Sequence, residues 1–264
     1  MKYKIIWDFF LEKLNNPYGV AALMGNMFVE STLIPTYLQG SYARKLGLNS
    51  QDYTEAVDNG SYKDFITDKA GYGLVQWTFW SRKESLYNYA KSLNASIGDL
   101  TMQLNFIWKE LQSYKTVMDV LCTATDIREA SDIVAKKYEQ PEHQEEKYLQ
   151  TRAQYGLMFF NRYASLNEGE ILSKAVIKAS TGKTVNLRLG AGKSFPIMTQ
   201  IPIGTVVNVV NKDDEWSMIS YKNECGYIMN QFLEFKEEAS DEFVKVDKRI
   251  LKSIRDLIDQ MLKE

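Results

Sequence analysis

Histidine and cysteine are scarce: the 264 residues hold one histidine, His143, and two cysteines, Cys122 and Cys225. A single histidine excludes a His-rich zinc site built from one chain. Two cysteines so far apart make a poor disulfide framework. A cysteine–histidine hydrolase would need Cys122 beside His143. Cys122 falls late in an apolar helical stretch with Val117, Val120 and Leu121, where a buried, inert thiol is expected. No run of about 18 apolar residues occurs, so no membrane-spanning helix and no membrane partner are expected. The opening MKYKIIWDFFLEKL starts basic, but Asp8, Glu12 and Lys13 interrupt its apolar run, and no secretory leader is expected. Neither sign of charge dominates: 32 Lys and Arg against 34 Asp and Glu leave −2. Without a polybasic arm, a nucleic-acid partner is not expected.

What the chain does have is a generous set of aromatics, 5 Trp, 16 Tyr and 12 Phe. Flat aromatic faces suit sugar rings and a large core equally well. Residues 1–163 read as a helical domain. Ile5, Ile6, Phe9, Phe10 and Leu14 follow amphipathic spacing, and Asn15-Asn16-Pro17 reads as a cap with proline in the next helix's first turn. Asp99, Thr125 or Asp126, and Pro141 mark later boundaries. Residues 32–80 lose helical regularity, and Asp58-Asn59-Gly60 reads as a hairpin turn, giving a small β or irregular insertion. The polar stretch 164–170 reads as a linker. Beyond it, over 171–236, five short alternating segments predict a small all-β barrel: Ala175–Ala179, Val185–Leu189, Thr205–Val210, Ser217–Tyr221 and Gly226–Met229. Residues 237–264 form a tail in which Val244, Leu251, Ile254, Ile258 and Met261 fit a helical seam, with Asp247 the exception. Such a helix either self-associates into a homo-oligomer or packs back on the barrel. The expected class is α+β.

The most informative local mismatch is Glu30. The helix around it is apolar on most sides through Val20, Ala21, Leu23, Met24, Met27 and Phe28, as a buried helix is. An ionised carboxylate beside Met27, Phe28 and Leu33 is costly unless paired. A carboxyl that instead keeps its proton can deliver it to a glycosidic oxygen. The bland alternative is an exposed glutamate at a helix end.

GNMFVES, ending in Glu30-Ser31, followed by GYGLVQW resembles the pattern shared by goose-type lysozymes and soluble lytic transglycosylases. The resemblance extends to the phage tail lysozyme family over roughly residues 15–162. It runs through GVAALMGNMFVES, AVDNGSY, DKAGYGLVQWTFWSR, SIGDLTMQLNFIWKEL and KYEQPEHQ. It implies that Glu30 is the general acid and that Gly73, Leu74 and Gln76 shape a saccharide cleft. Gln76 would then hydrogen-bond substrate or the attacking water. Tyr138, in KYEQP, resembles a tyrosine that positions the substrate or the glutamate. Trp77 and Trp80 are candidates for stacking on sugar rings, or are core.

The second carboxylate stays open between Asp68, which precedes GYGLVQ, and Asp58 in the Asn-Gly turn. An inverting hydrolase holds its water between carboxyls about 6.5–9.5 Å apart. If neither aspartate serves, the resemblance allows a lytic transglycosylase, with the sugar's own 6-hydroxyl as nucleophile. Both aspartates also suit plain turns.

The C-terminal part resembles the bacterial SH3-like domains appended to cell-wall enzymes. The matching residues are Asn186-Leu187-Arg188 with Gly190 and Gly192, Ile203-Gly204-Thr205, Trp216, and Gly226-Tyr227-Ile228. Gly190 and Gly192 are read as turn glycines. Together the two resemblances imply a phage-type lysin that cuts between N-acetylmuramic acid and N-acetylglucosamine in Gram-positive walls, with peptidoglycan glycan strands and stem peptides as partners and no metal or organic cofactor; the non-enzymatic alternative is a wall-binding protein whose helical domain only grips glycan. Its expected location is the host cytoplasm until release to the wall; a virion-borne tail lysin would look similar.

Overall fold

The computed structural model describes residues 2–164, 172–222 and 224–235. The expected linker, apart from its first residue, and the tail helix over 237–264 lie outside the described residues. The chain divides into two compact units at residues 169 and 170.

The first unit is helical. Helix α1 (Lys2–Leu14) buries Ile6, Trp7, Phe10 and Leu14; Ile5, expected on this face, is 48% exposed. Helix α2 (Pro17–Ser31) begins where the sequence indicates, with the Asn16 side chain accepting from the Tyr18 N–H and proline in the first turn. It is the axis of the unit, buried from Gly19 to Phe28. Two glycines let neighbouring backbones reach it. A Cβ on Gly19 would lie 1.9 Å from the Leu121 carbonyl oxygen, and one on Gly25 would lie 2.4 Å from the Arg152 carbonyl oxygen. Alanine at Gly25 would improve helix propensity by about 0.5–1 kcal/mol. The backbone collision outweighs that gain, and we expect Gly25→Ala to destabilise the unit by about 1–3 kcal/mol net in denaturant unfolding.

After α2 the chain turns sharply at Thr32 and Leu33, which adopt left-handed φ of 51° and 57°. The region 32–80 is less irregular than its sequence pattern indicates. It contains α3 (Gly40–Leu46) and α4 (Ser50–Asp58). The latter is capped by Asn49 and buries Tyr53, Thr54 and Val57 on one face. Asp58-Asn59-Gly60 is therefore the end of a helix, with Gly60 at φ 79°, and not a hairpin turn. The β character amounts to two isolated bridges, Leu38 with Tyr72 and Tyr72 with Trp77. Five further helices follow: α5 (Trp80–Ser92), α6 (Leu100–Leu111), α7 (Lys115–Thr123), α8 (Ile127–Val134) and α9 (Glu146–Tyr163). Asp99 and Asp126 cap α6 and α8 through their side chains. A π-helical turn (Ala135–Glu139) extends α8.

Cys122 is exposed on α7, against expectation, because the stripe that α7 buries is Val117 and Leu121. His143 pairs with Glu145 and stacks on Tyr148. No hydrogen bond among the described residues joins it to Cys122.

The second unit is one antiparallel sheet of seven strands among the described residues: β1 (Ser173–Ile177), β2 (Thr184–Arg188), β3 (Ile197–Pro202), β4 (Val206–Lys212), β5 (Trp216–Tyr221), β6 (Glu224–Met229) and β7 (Leu233–Phe235). Their order is β3-β2-β6-β5-β4-β1-β7. Five lie where alternation places them. The others are the two outermost strands: β3 buries only Ile201, and β7 has three residues. Val207 and Val209 enter the core while Val206 faces outward, the period-two pattern of a half-buried strand. Gly190 is needed for space and not for φ, since a Cβ there would meet the Phe195 ring at 2.6 Å. The positive-φ glycines of this unit are Gly182 and Gly204. Trp216 packs with Met218, Cys225 and Tyr227 in a small second cluster.

Candidate active site

Glu30 is one residue from the C-terminal end of α2. Its side chain is 19% exposed and meets Arg152 of α9, with Oε1 accepting from Nη2 at 2.5 Å. Arg152 is held in turn by Asn26, one α-helical turn before Glu30, whose carbonyl and side-chain oxygens accept from Nη1 at 3.4 and 3.3 Å. Asn26 donates to the backbone and side-chain oxygens of Ser131 on α8. The GNMFVES motif thus works residue by residue: Gly25 admits α9, Asn26 ties α8 and Arg152 together, and Glu30 faces the guanidinium. Of the two fates open to an acid in an apolar helix, pairing is the one observed.

Ser31 joins Glu30 to the Gly-Leu-Val-Gln segment. Its hydroxyl donates to the Leu74 carbonyl oxygen at 2.8 Å. The Leu74 N–H donates to Gln103 Oε1, and the Gln103 amide donates to the Pro35 and Ile97 carbonyls at 2.7 Å each. Gly73 adopts φ 78°, and a Cβ there would lie 2.8 Å from the Trp77 ring. Gln76, also left-handed at φ 49°, donates its amide to the Tyr37 and Gly73 carbonyls and is half-buried. Its amide is engaged with the loop's own backbone.

Trp77 is fully buried, and its indole N–H donates to Glu110 Oε2 at 2.9 Å. Tyr138 is buried too, and its hydroxyl donates to the same oxygen at 3.0 Å. Arg82 of α5 completes the group with two hydrogen bonds of 2.9 Å to Glu110. Burial alone would lower the Arg82 pKa; the bonds to Glu110 reverse this and hold it charged. Burial, and then the Glu110 charge, push the Tyr138 hydroxyl well above its ordinary range, so it stays a neutral donor. Trp80 differs from Trp77: it is 55% exposed at the start of α5, 6.1 Å from the ring of Phe79.

Both aspartates accept several hydrogen bonds of their own. Asp68 accepts four hydrogen bonds, from Lys83 Nζ at 2.5 Å, the Ala70 N–H, and the hydroxyls of Tyr53 and Tyr62. Lys83 and Asp68 side chains are 0% and 5% exposed. Burial lowers the Lys83 pKa while the bond to Asp68 works the other way. Asp58 accepts from the Ser96 hydroxyl and the Ile97 N–H, fastening the end of α4 to the segment after α5.

Another carboxyl stands with Glu30. Glu139, on the π-helical turn, buries its Oε1 without a hydrogen-bond partner. Desolvation, and then the charge of Glu30, raise its pKa well above the ordinary 4.5, against the pull of Arg82 and Arg152. The π turn closes with the Gln140 N–H on the Ala135 carbonyl. That wider turn changes which way Glu139 faces, which an α-helical reading of the sequence does not register. Arg152 had a signal available: it shares a stripe with Leu149, Ala153 and Gly156, where a charge is out of place.

Among the described residues, no group of three His, Cys, Asp or Glu side chains is arranged to hold a metal ion. No helix among them is long and apolar enough to cross a membrane. A family model described as phage tail lysozyme matches residues 2–163, and one described as bacterial SH3 domain matches residues 183–234. No curated protein matches the chain.

Proposed function

The chain belongs to the phage tail lysozyme family, and from that premise we propose that this peptidoglycan lysin cleaves the bond between N-acetylmuramic acid and N-acetylglucosamine in Gram-positive walls, with Glu30 as general acid. The observation that carries this reading is the hydrogen bond from Ser31 to Leu74. It brings the end of α2, with its acid, against the Gly73–Trp77 segment. Glu30 protonates the leaving glycosidic oxygen as the sugar carbon takes on oxocarbenium character. For this it must leave Arg152 and carry a proton. In this reading Gly73, Leu74 and Gln76 shape the saccharide cleft from the buried loop beside Glu30, and Trp77 and Tyr138 hold that loop through Glu110. The SH3-like unit docks on stem peptides and keeps the catalyst near an insoluble polymer, raising its local concentration.

A second reading is a lytic transglycosylase. It is favoured by the engagement of Asp58 and Asp68 in hydrogen bonds that support the fold, which leaves neither aspartate free to act as a base. Digestion in water enriched in oxygen-18 separates the two. A hydrolase places one heavy oxygen at each new reducing end. A transglycosylase releases anhydro ends, lighter by one water and unlabelled.

The exposed Trp80 is the stacking residue in this reading. We expect Trp80→Ala to leave the melting temperature in place and to raise KM on wall fragments several-fold, since sugar stacking on an exposed indole is worth on the order of 1 kcal/mol. Trp77→Ala should instead destabilise by about 3–5 kcal/mol. Equal effects on KM with equal stability loss would contradict the assignment.

A further inference from the structure

The acid step leaves one buried acid unused. Four charged groups on four segments act on Glu139 of the π turn, namely Glu30 on α2, Arg82 on α5, Glu110 on α6 and Arg152 on α9, and they pair as Arg82 with Glu110 and Arg152 with Glu30. Glu110 takes both hydrogen bonds of Arg82 that face it, and Glu30 takes Nη2 of Arg152. Three carboxylates against two guanidiniums would leave one negative charge in a buried place. Two atoms of this cluster are buried without a hydrogen-bond partner, and they are complementary: the acceptor Oε1 of Glu139 and the donor Nε of Arg152. A buried, unpaired carboxylate is expensive, and a neutral carboxyl far less so.

We propose that Glu30 and Glu139 hold a single proton between them. Glu139 carries it while Arg152 pairs with Glu30, and Glu30 receives it when Arg152 turns its idle Nε–H toward Glu139. Both forms contain two cations, two anions and one neutral carboxyl, so the exchange draws no proton from solvent. The inference rests on Glu30 being the general acid. In the reaction Glu30 gives the proton to the glycosidic oxygen as the C–O bond breaks. The nucleophile, water or the sugar's 6-hydroxyl, returns one proton to the pair as the new C–O bond forms. Desolvation and the charge of Glu30 shift the Glu139 titration in the direction this requires. Tyr138, beside Glu139, stays neutral throughout. Glu139 is a positioning residue and does not touch the sugar.

The test is the rate of wall-fragment release by wild type, Glu139→Gln and Glu30→Gln across the pH range. Glutamine cannot hold the shared proton, and Arg152 then keeps Glu30 as a carboxylate. Glu139→Gln should lose at least about tenfold in kcat at neutral pH, and its alkaline limb should move acidward by about one pH unit or more, with wall binding unchanged. A loss of rate with the limb unmoved, or no loss, overturns the proposal. Carbon-13 NMR of the glutamate carboxyls reads the proton directly, in wild type independently of any variant and in Glu30→Gln on material shown to be folded. Wild type should show one glutamate still protonated at neutral pH, and in Glu30→Gln that signal should titrate lower. If every glutamate titrates near its ordinary value, the shared proton does not exist. Full activity in Glu30→Gln would overturn the reading of Glu30 itself, a failure visible in a different variant.

Discussion

Replacing Glu30 by glutamine should reduce glycan cleavage by about 10²–10⁴-fold, the range that removal of a general acid commonly produces. The substitution keeps the side chain's volume and one acceptor for Arg152, and Glu139, whose charge acts on Arg152, can replace the lost counter-charge, so the α2–α9 contact around Gly25 and Asn26 should persist. Thermal unfolding is therefore expected to change little, and binding to walls not at all. The contrast between lost turnover and kept binding is what distinguishes an acid that acts on the substrate from one that only holds α9. A variant that melts far below wild type and regains activity in proportion to its folded fraction would assign Glu30 to the ion pair alone.

A large effect on stability is also expected at Asp68. Its partner Lys83 is wholly buried, and the Ala70 carbonyl, at 2.9 Å, is the other oxygen it reaches within a short hydrogen-bond distance. Asp68→Asn leaves an ammonium in the interior without a counter-charge, a loss of about 3–5 kcal/mol. For a unit of this size that lowers the melting temperature by on the order of 10 °C. Adding Lys83→Met removes the stranded charge, and the double variant should recover much of the loss, because the new amide's oxygen would still accept from Tyr53 and Tyr62. If Asp68 were instead the catalytic base, the single variant would keep its melting temperature and lose turnover. Calorimetry on the single and double variants, with activity measured on the same folded material, decides between these.

Much of this organisation is legible in the sequence because local rules and the fold agree. Asn16-Pro17, Asp99 and Asp126 mark helix starts with side chains that do cap those helices. Glu30 stands out because it contradicts the apolar pattern around it, and the five inner strand segments are readable by alternation. What is not legible depends on partners distant in sequence. Helices α3 and α4 are short, and α4 is recognised only once Tyr53, Thr54 and Val57 have a core to face. Gln103 and Glu110 look like surface residues of an amphipathic helix, yet they bind Leu74 and Trp77 from about thirty residues away. Asp58 and Asp68 have the right residue type for a second catalytic carboxylate, and nothing in the sequence marks the hydrogen bonds that each accepts from distant partners. Glu139 is hidden by a π turn, which no hydrophobic period encodes.

The most direct test of the central claim, that the α2 acid and the Gly73–Trp77 segment form a glycan-cleaving site, is the chemistry of the ends that the protein creates. Purified Gram-positive walls would be digested with wild type and with Glu30→Gln, and the fragments identified by mass spectrometry. Wild type should yield saccharide fragments newly ended at N-acetylmuramic acid, reducing or anhydro, and Glu30→Gln should yield almost none. New amino termini on an intact glycan, made equally by both proteins, would contradict the account and direct attention to the exposed thiol of Cys122.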